Sequence, residues 1–551
     1  MSSPNQSIQP SSAAHAGSEP LVNTMFEKTP LLGLGLSIAI GTIFLGKFLF
    51  GSSGSKKLAF PLVKKDGDGY NFLGDALKMV EKGRNEHPGM PFFIEGENGP
   101  LAIIPPNMID DIRSHEDLSF HLTVREDFHD GMPGFEAFTI TSRGGGVLQS
   151  VISKQLTKYV GVILNNLSDE AAYALHKNFG DKTGKKPYLM SYNILKAHNP
   201  NQHTSEWREH TIKPIILDTI SRVASRIFLG EDLCRNEEWL ELSKGYTIAA
   251  FMAARDLRQR PFHLRRLIQW FEPSCKTLRK YRDSSRALIL PIVEKRRALR
   301  RECIAQGKPL PVFNDCIDWF EEEAAGRPYD AGMIQQAIAA TGNHTSSDFT
   351  TKFVLILAQH PDVVQEIREE IVKVLGAEGL TKAALANLKL LDSAMKETQR
   401  LQPLTTSPMA RMATKDIHLA NGVCIPKGTP LVIDGSWRVS PEIYEKPLEF
   451  DAHRFVKWRG TDRENMAHFV STAASHTGFG HGIYACPGRF FATNELKIVL
   501  CQLIMKYDWK LAEGSTAEPL VFGFNLDASW DAKIMVRRRK VVELDIDALS
   551  A

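Results

Sequence analysis

Hydrophobic residues recur along most of this chain at helical spacing. Leu156 to Leu175, Pro214 to Leu229, Met333 to Gln359 and Leu385 to Leu401 each repeat apolar side chains three and four positions apart, which predicts helices. Strand-like stretches are few and short: Leu101 to Ile104, Val423 to Ile425, Pro430 to Ile433 and Lys533 to Val536. Runs of helices with a minority of small strands predict a mostly-α (α+β) architecture. One apolar run stands apart. Leu31 to Phe50 is apolar except for Ser37, Thr42 and Lys47, and a helix of that length reaches roughly 30 Å, the thickness of a hydrocarbon core.

The flanks of that run divide the chain. Residues 1–28 are rich in Ser, Asn, Gln, Pro and Ala and read as a disordered tail, because they cannot bury enough surface to offset ordering. Residues 29–51 then read as a transmembrane anchor, 52–65 as a linker and 66–551 as one large catalytic domain without internal repeats. A cleaved signal peptide fits poorly: the run begins deep in the chain, no basic segment precedes it and no A-x-A site follows. Lys56, Lys57, Lys64 and Lys65 lie behind it, against Glu19, Glu27 and Lys28 in front, which predicts a single-pass protein with a cytosolic C-terminal bulk.

Composition narrows the classes further. The 551 residues are 43% hydrophobic and 24% charged, an ordinary globular balance. With 67 Lys and Arg against 64 Asp and Glu the net charge is +3, so no basic field points to nucleic acid as a partner. The local basic stretch Arg279 to Arg301 has its acids and apolar residues at helical spacing and reads as a solvated helix. Seven cysteines form no C-x-x-C pair and are too sparse for a disulfide scaffold, which fits reduced thiols facing the cytosol.

Among those seven, Cys486 has the most informative surroundings. Gly478, Gly480 and Gly482 precede it, and Pro487 and Gly488 lead into an amphipathic pattern. Glycines let backbone N–H groups fold back onto one atom, and a helix started at Pro487 points its N-terminus at the sulfur. Both effects favour a thiolate. Local chemistry leaves three readings open: an inert buried thiol, a nucleophile with His476 or His481 as base, or a metal ligand without the neighbouring Cys or His that zinc requires.

The segment Phe479-Gly480-x-Gly482-x-x-x-Cys486-Pro487-Gly488 closely resembles the haem-binding loop of the cytochrome P450 family. The resemblance implies the P450 fold and a haem b whose proximal iron ligand is Cys486, a thiolate that pushes electron density toward O–O cleavage. It places Phe479 beside the sulfur and lets the next helix approach closely at Gly488. Where the family usually has Arg or His two residues before the cysteine, reaching a haem propionate, this chain has Tyr484, which brings a hydroxyl and no charge. A Trp-x-x-x-Arg pair, often a propionate contact, is missing after Arg143, and Arg411 is the candidate in its place.

Two further constellations agree with the resemblance in order and spacing. Glu397 and Arg400, three residues apart in a helical segment, stand upstream of Phe450-x-x-x-Arg454-Phe455. The resemblance implies a structural triad of Glu397, Arg400 and Arg454. The same tetrad at Glu81/Arg84 and Glu294/Arg297 reads as ordinary helix-surface pairs worth about 0.2–0.5 kcal/mol each. The second constellation is Ala340-Thr341-Gly342-Asn343-His344-Thr345, midway along a helix capped by Asp330, where a glycine among hydroxyl residues fits either a local opening of the helix ladder or an ordinary core helix. In the family a small residue, an acid and a threonine stand here; Gly342 and Thr345 match, and His344 replaces the acid as a candidate proton relay.

The resemblance covers about Asp66 to Arg539 and looks fungal in type. It implies a monooxygenase of secondary metabolism in the endoplasmic reticulum membrane, acting on a terpenoid, indole alkaloid or polyketide. Gly131 to Thr141, the helix before Gly342, Leu404 to Met409 and Phe522 to Asn525 would line the pocket. Electrons would come from NADPH through a separate cytochrome reductase, with cytochrome b5 as a further donor, since no Gly-rich dinucleotide fingerprint follows a strand. Oxidative coupling or rearrangement without net oxygen insertion, and a non-catalytic haem protein, are the rival readings.

Overall fold

A single helix, Ala331–Leu357, runs through the core and organises the rest. Its residues are buried along nearly the whole length, as expected of a helix enclosed by neighbours on every side. Asp330 caps it, the carboxylate accepting from the Met333 N–H at 3.0 Å. The helices Ile212–Phe228, Glu237–Arg258 and Pro273–Ala305 pack against it, and Thr157–Phe179 packs on Ile212–Phe228 and on the C-terminal helix Arg489–Lys506. The computed structural model describes residues 58–65, 67, 69–143, 146–180 and 206–550. The expected tail and anchor lie outside the described residues. Among the described residues no helix is long and apolar enough to cross a membrane.

The strands are short and lie at the margins of the helical body. A five-stranded sheet runs in the order Phe92–Gly96, Gly99–Ile104, Pro430–Ile433, Arg411–Ala413, Leu118–Ser119, with Gly99–Ile104 and Pro430–Ile433 parallel and the other pairs antiparallel. Leu520–Phe522 and Asn525–Asp527 form a hairpin, and Lys533–Arg538 pairs with Arg208–Thr211 and Tyr507–Leu511.

Two expectations change on contact with the fold. The segment Leu385 to Leu401 is not one helix but two, Lys382–Asn387 and Lys389–Leu401, broken at Leu388. The Glu370 carboxylate supplies the second start, accepting from the Leu390 and Leu391 N–H groups at 2.7 and 3.0 Å. The basic stretch Arg279 to Arg301 is a helix face, but a paired one. Arg282 meets Glu136 at 3.1 Å, Arg286 meets Asp330 at 2.5 Å, Arg296 meets Asp315 at 2.8 Å, Arg297 meets Glu321 at 2.7 Å and Arg300 meets Asp318 at 2.8 Å. Those five cations face acids of neighbouring segments.

Candidate active site

Of the 27 residues in Ala331–Leu357, all are buried except Thr341, Gly342, His344 and Thr345. A core helix exposed at one spot midway has accessible space beside it there. The backbone itself does not open: the helix is unbroken, and the hydroxyls bond back within it. Thr341 Oγ1 donates to the Ile338 carbonyl at 2.9 Å, and Thr345 Oγ1 donates to the Thr341 carbonyl at 2.9 Å. A Cβ at Gly342 would stand 3.6 Å from the nearest atom, in the Phe228 ring, so this glycine leaves room. His344 turns the other way. Its Nε2 lies 2.9 Å from the Lys244 carbonyl, which can only accept, so that nitrogen carries the proton. Burial lowers its pKa, and the neutral ring ties this helix to Glu237–Arg258 instead of joining Thr345.

The cysteine loop is built tightly. The Cys486 N–H donates to the Phe479 carbonyl at 2.7 Å, closing the turn, and Gly480 and Gly482 have φ of 69° and 76°, a region that favours glycine. A Cβ at Gly482 would fall 2.0 Å from the Arg113 carbonyl, so only glycine fits. The following helix begins at Arg489, two residues after Pro487. Desolvation pushes the Cys486 thiol up, and the nearby Gly488 and Arg489 backbone N–H groups and the Arg489 charge oppose it in part. The Phe479 ring stands edge-on to Phe469 at 5.1 Å.

Neither nearby histidine is a base for Cys486. His476 Nε2 lies 2.9 Å from Gln399 Oε1 and His481 Nδ1 lies 3.0 Å from Thr472 Oγ1. Among the described residues no three His, Cys, Asp or Glu side chains converge on a metal site, so Cys486 stands as a single-point donor.

Beside this loop is a polar cluster with nothing to bond. Arg411 spends one nitrogen on the Ala410 carbonyl, while its buried Nε and Nη2 find no partner among the described residues. Its guanidinium lies 4.6 Å from the Tyr484 ring, and burial brings its pKa down to about 10. His121, which the motif reading missed, sits edge-on to Tyr484 at 5.4 Å with a buried, unpartnered Nδ1. Burial and the Arg411 charge hold its pKa low. Desolvated donors of this kind are costly unless an acceptor arrives.

Below the loop, Glu397 is wholly buried and accepts from Arg400 Nε and Nη2 at 2.7 Å each and from Arg454 Nε at 2.9 Å. Arg400 Nη1 reaches the Pro447 carbonyl at 2.6 Å and Arg454 reaches the Glu445 carbonyl at 2.5 Å, so the trio fastens the Lys389–Leu401 helix to the segment that leads toward the cysteine. The look-alike tetrads differ. Glu294 and Arg297 pair on the surface at 2.6 Å, whereas Arg84 turns to Asp434 at 2.7 Å.

Comparison with known proteins agrees with this geometry. The model of the family described as Cytochrome P450 matches residues 193–526, more than half of the chain. The chain belongs to the cytochrome P450 family. This P450 is 37% identical over 485 residues to the cytochrome P450 monooxygenase eqxH of Fusarium heterosporum, covering 87% of this chain and 89% of that protein. It is 35% identical over 527 residues to the cytochrome P450 monooxygenase adrA of Penicillium rubens, covering 93% and 98%. A solved cyanobacterial CYP120A1 with bound retinoic acid shares the fold at a TM-score of 0.59 and 19% identity, covering 87% of this chain and all of that one. The P450 is thus a fungal-type monooxygenase, and its family implies a haem held by a cysteine thiolate. The residues present fit that group: a lone half-buried thiol, and at its side the orphaned nitrogens of Arg411 and His121, which suit the carboxylates of a porphyrin.

Proposed function

We propose that this P450 uses dioxygen, two electrons and two protons to place one oxygen atom in an apolar fungal secondary metabolite, a terpenoid, indole alkaloid or polyketide, releasing water. One observation carries the assignment of Cys486 as the iron ligand: its half-buried thiol stands in a glycine-shaped turn at the start of a helix, with no histidine base at hand. When bound, the haem supplies the activation of dioxygen and the transfer of the oxygen atom. Arg411, His121 and Tyr484 would hold its carboxylates, Gly480 and Gly482 shape the loop that would present the sulfur, and the trio around Glu397 braces the segment leading to that loop.

The polypeptide contributes a proton route and a wall. Thr345 is exposed midway along the helix with its hydroxyl donating within it, so its oxygen can accept from a water and hold that water in place as the proton carrier. His344 lies outside this route, because its protonated nitrogen is spent on Lys244. On either side of this spot the helix is buried, and those turns back the wall.

Electrons come from NADPH through a cytochrome reductase, with cytochrome b5 as a second donor. The enzyme resides in the endoplasmic reticulum membrane, anchored by residues 29–51 with the catalytic part cytosolic. Support comes from an exposed apolar cluster, Phe262, Leu267, Trp270 and Phe271, with Arg258, Arg260, Arg265 and Arg266 around it, a surface suited to anionic lipid. The test is the carbon-monoxide spectrum of the reduced full-length protein. A thiolate-type band that vanishes in Cys486→Ser supports the ligand, and a Cys486→Ser protein retaining that band overturns it. Turnover with reductase and NADPH, read by product mass, separates oxygen insertion from coupling.

A further inference from the structure

The most unusual chemistry outside the cysteine loop is a set of buried charges one turn beyond Thr345. Asp348 and Lys352, four residues apart on the core helix, form an ion pair at 2.6 Å, and both are almost completely buried. An exposed pair at this spacing is commonplace, but a buried one is costly unless its remaining valences are used. Here they are. Lys352 Nζ donates to the Pro403 carbonyl at 3.1 Å and also to the Leu526 carbonyl. Asp348 Oδ1 accepts from the Ala528 N–H at 2.8 Å and from Lys213 Nζ at 3.2 Å. Lys213 in turn donates to the Ala528 carbonyl at 2.8 Å and lies 4.6 Å from the Trp530 ring.

Apart from Lys213, which stands on the Ile212–Phe228 helix, the partners of this cluster lie on two segments. One is the strand-like stretch Pro403 to Thr406, the other the end of the Leu520–Asp527 hairpin. The two are also laced to each other: the Thr406 N–H donates to the Phe524 carbonyl at 2.8 Å, and the Leu526 N–H donates to the Leu404 carbonyl at 3.1 Å. The bonded residues adjoin the segments expected to line the pocket, Leu404 to Met409 and Phe522 to Asn525, and without the cluster their attachment to the helix bearing Thr345 would lose its buried ionic links.

Resting on the monooxygenase reading above, we propose that Asp348 and Lys352 are positioning residues for a bulky apolar substrate: they clamp the Pro403–Thr406 and Phe524–Ala528 walls at a fixed distance from Thr345. A small ligand needs no such wall, and a large one is held by it. The clamp therefore governs which carbon is presented without touching the substrate.

The experiment uses the full chain loaded with haem, as parent and as Lys352→Met. Amide hydrogen exchange reads the clamp directly, and imidazole and clotrimazole, a small and a bulky nitrogen ligand, read the pocket. The expected result is exchange roughly tenfold faster at Thr406 and Leu526 with no change in the Arg489–Lys506 helix. Clotrimazole binding should weaken roughly tenfold while imidazole binding holds. Unchanged exchange at Thr406 and Leu526, or equal weakening of both ligands, overturns the proposal. Exchange that quickens throughout the protein overturns it as well, since the cluster is then a general support. Should Lys352→Met fail to accumulate, Asp348→Asn, which keeps shape and removes one charge, takes the same measurements and is judged by the same outcomes. A parent lacking the thiolate-type band would sink the haem reading, while the exchange result would still decide the clamp.

Discussion

Replacing Glu397 by glutamine removes one charge and changes almost nothing in shape. The carboxylate accepts three guanidinium bonds, from Arg400 at 2.7 Å twice and from Arg454 at 2.9 Å. It also accepts from the Asp451 N–H at 3.3 Å. A glutamine can turn one oxygen to these donors and must face the rest with its own NH2 group. Two buried guanidiniums are then left without a counter-charge, a change that costs about 3–5 kcal/mol when one member of a buried ion pair is removed. That is a large share of the roughly 5–15 kcal/mol by which a folded domain is stable. The control is Glu294→Gln in the surface tetrad, where the lost pair is worth about 0.2–0.5 kcal/mol. Urea unfolding of the haem-loaded proteins, followed by loss of the thiolate-type band, compares the two. Glu397→Gln should unfold at a much lower urea midpoint or fail to retain haem, and Glu294→Gln should track the parent. Matching midpoints for the two variants would refute the argument that burial, and not the tetrad itself, gives the pair its strength.

Arg411→Met and His121→Ala should each weaken haem retention, measured by transfer of haem to apomyoglobin, with the double variant worst; retention equal to the parent would show that neither donor meets a carboxylate. Glu495 gives a pH prediction. It is fully buried, its pKa raised from 4.5 to about 8 by desolvation, while the unfolded chain keeps the ordinary value. The folded state therefore binds the extra proton between these two pH values, so the stability this group contributes is present below about 4.5 and is lost as pH rises through about 8. Glu495→Gln should flatten the fall in melting temperature across that window, and an unaltered slope would exclude Glu495 as its source.

Motifs read well where chemistry forces residues close in sequence. The cysteine loop was legible because its glycines are sterically compelled, as the 2.0 Å approach at Gly482 shows. Pro430–Ile433 and the long helix from Asp330 followed from periodicity and capping. What sequence concealed lies in pairings across long chain separations. Nothing near Arg84 indicates that it bonds Asp434, or near Arg296 that Asp315 awaits it. His121 carries no spacing relation to Cys486, and its role emerges only where the fold sets it against Tyr484. His344 sits beside Thr345 in the chain, yet neighbours on a helix point about 100° apart, enough to send one to the cavity and the other to Lys244. The helix break at Leu388 was hidden for the same reason, since the carboxylate that caps the second helix belongs to Glu370.

The orphaned donors of Arg411 and His121 bear on the life of the protein before it works. Each unmet buried group costs about 1–3 kcal/mol, and the polypeptide carries that cost until an anion settles between them. Prosthetic-group capture and completion of folding are then one thermodynamic event, linked by mass action. The folded population in a cell would follow porphyrin supply, and a host starved of it would accumulate chains exposed to proteolysis. For production of this enzyme, feeding a haem precursor during expression should raise the yield of intact polypeptide as well as its activity.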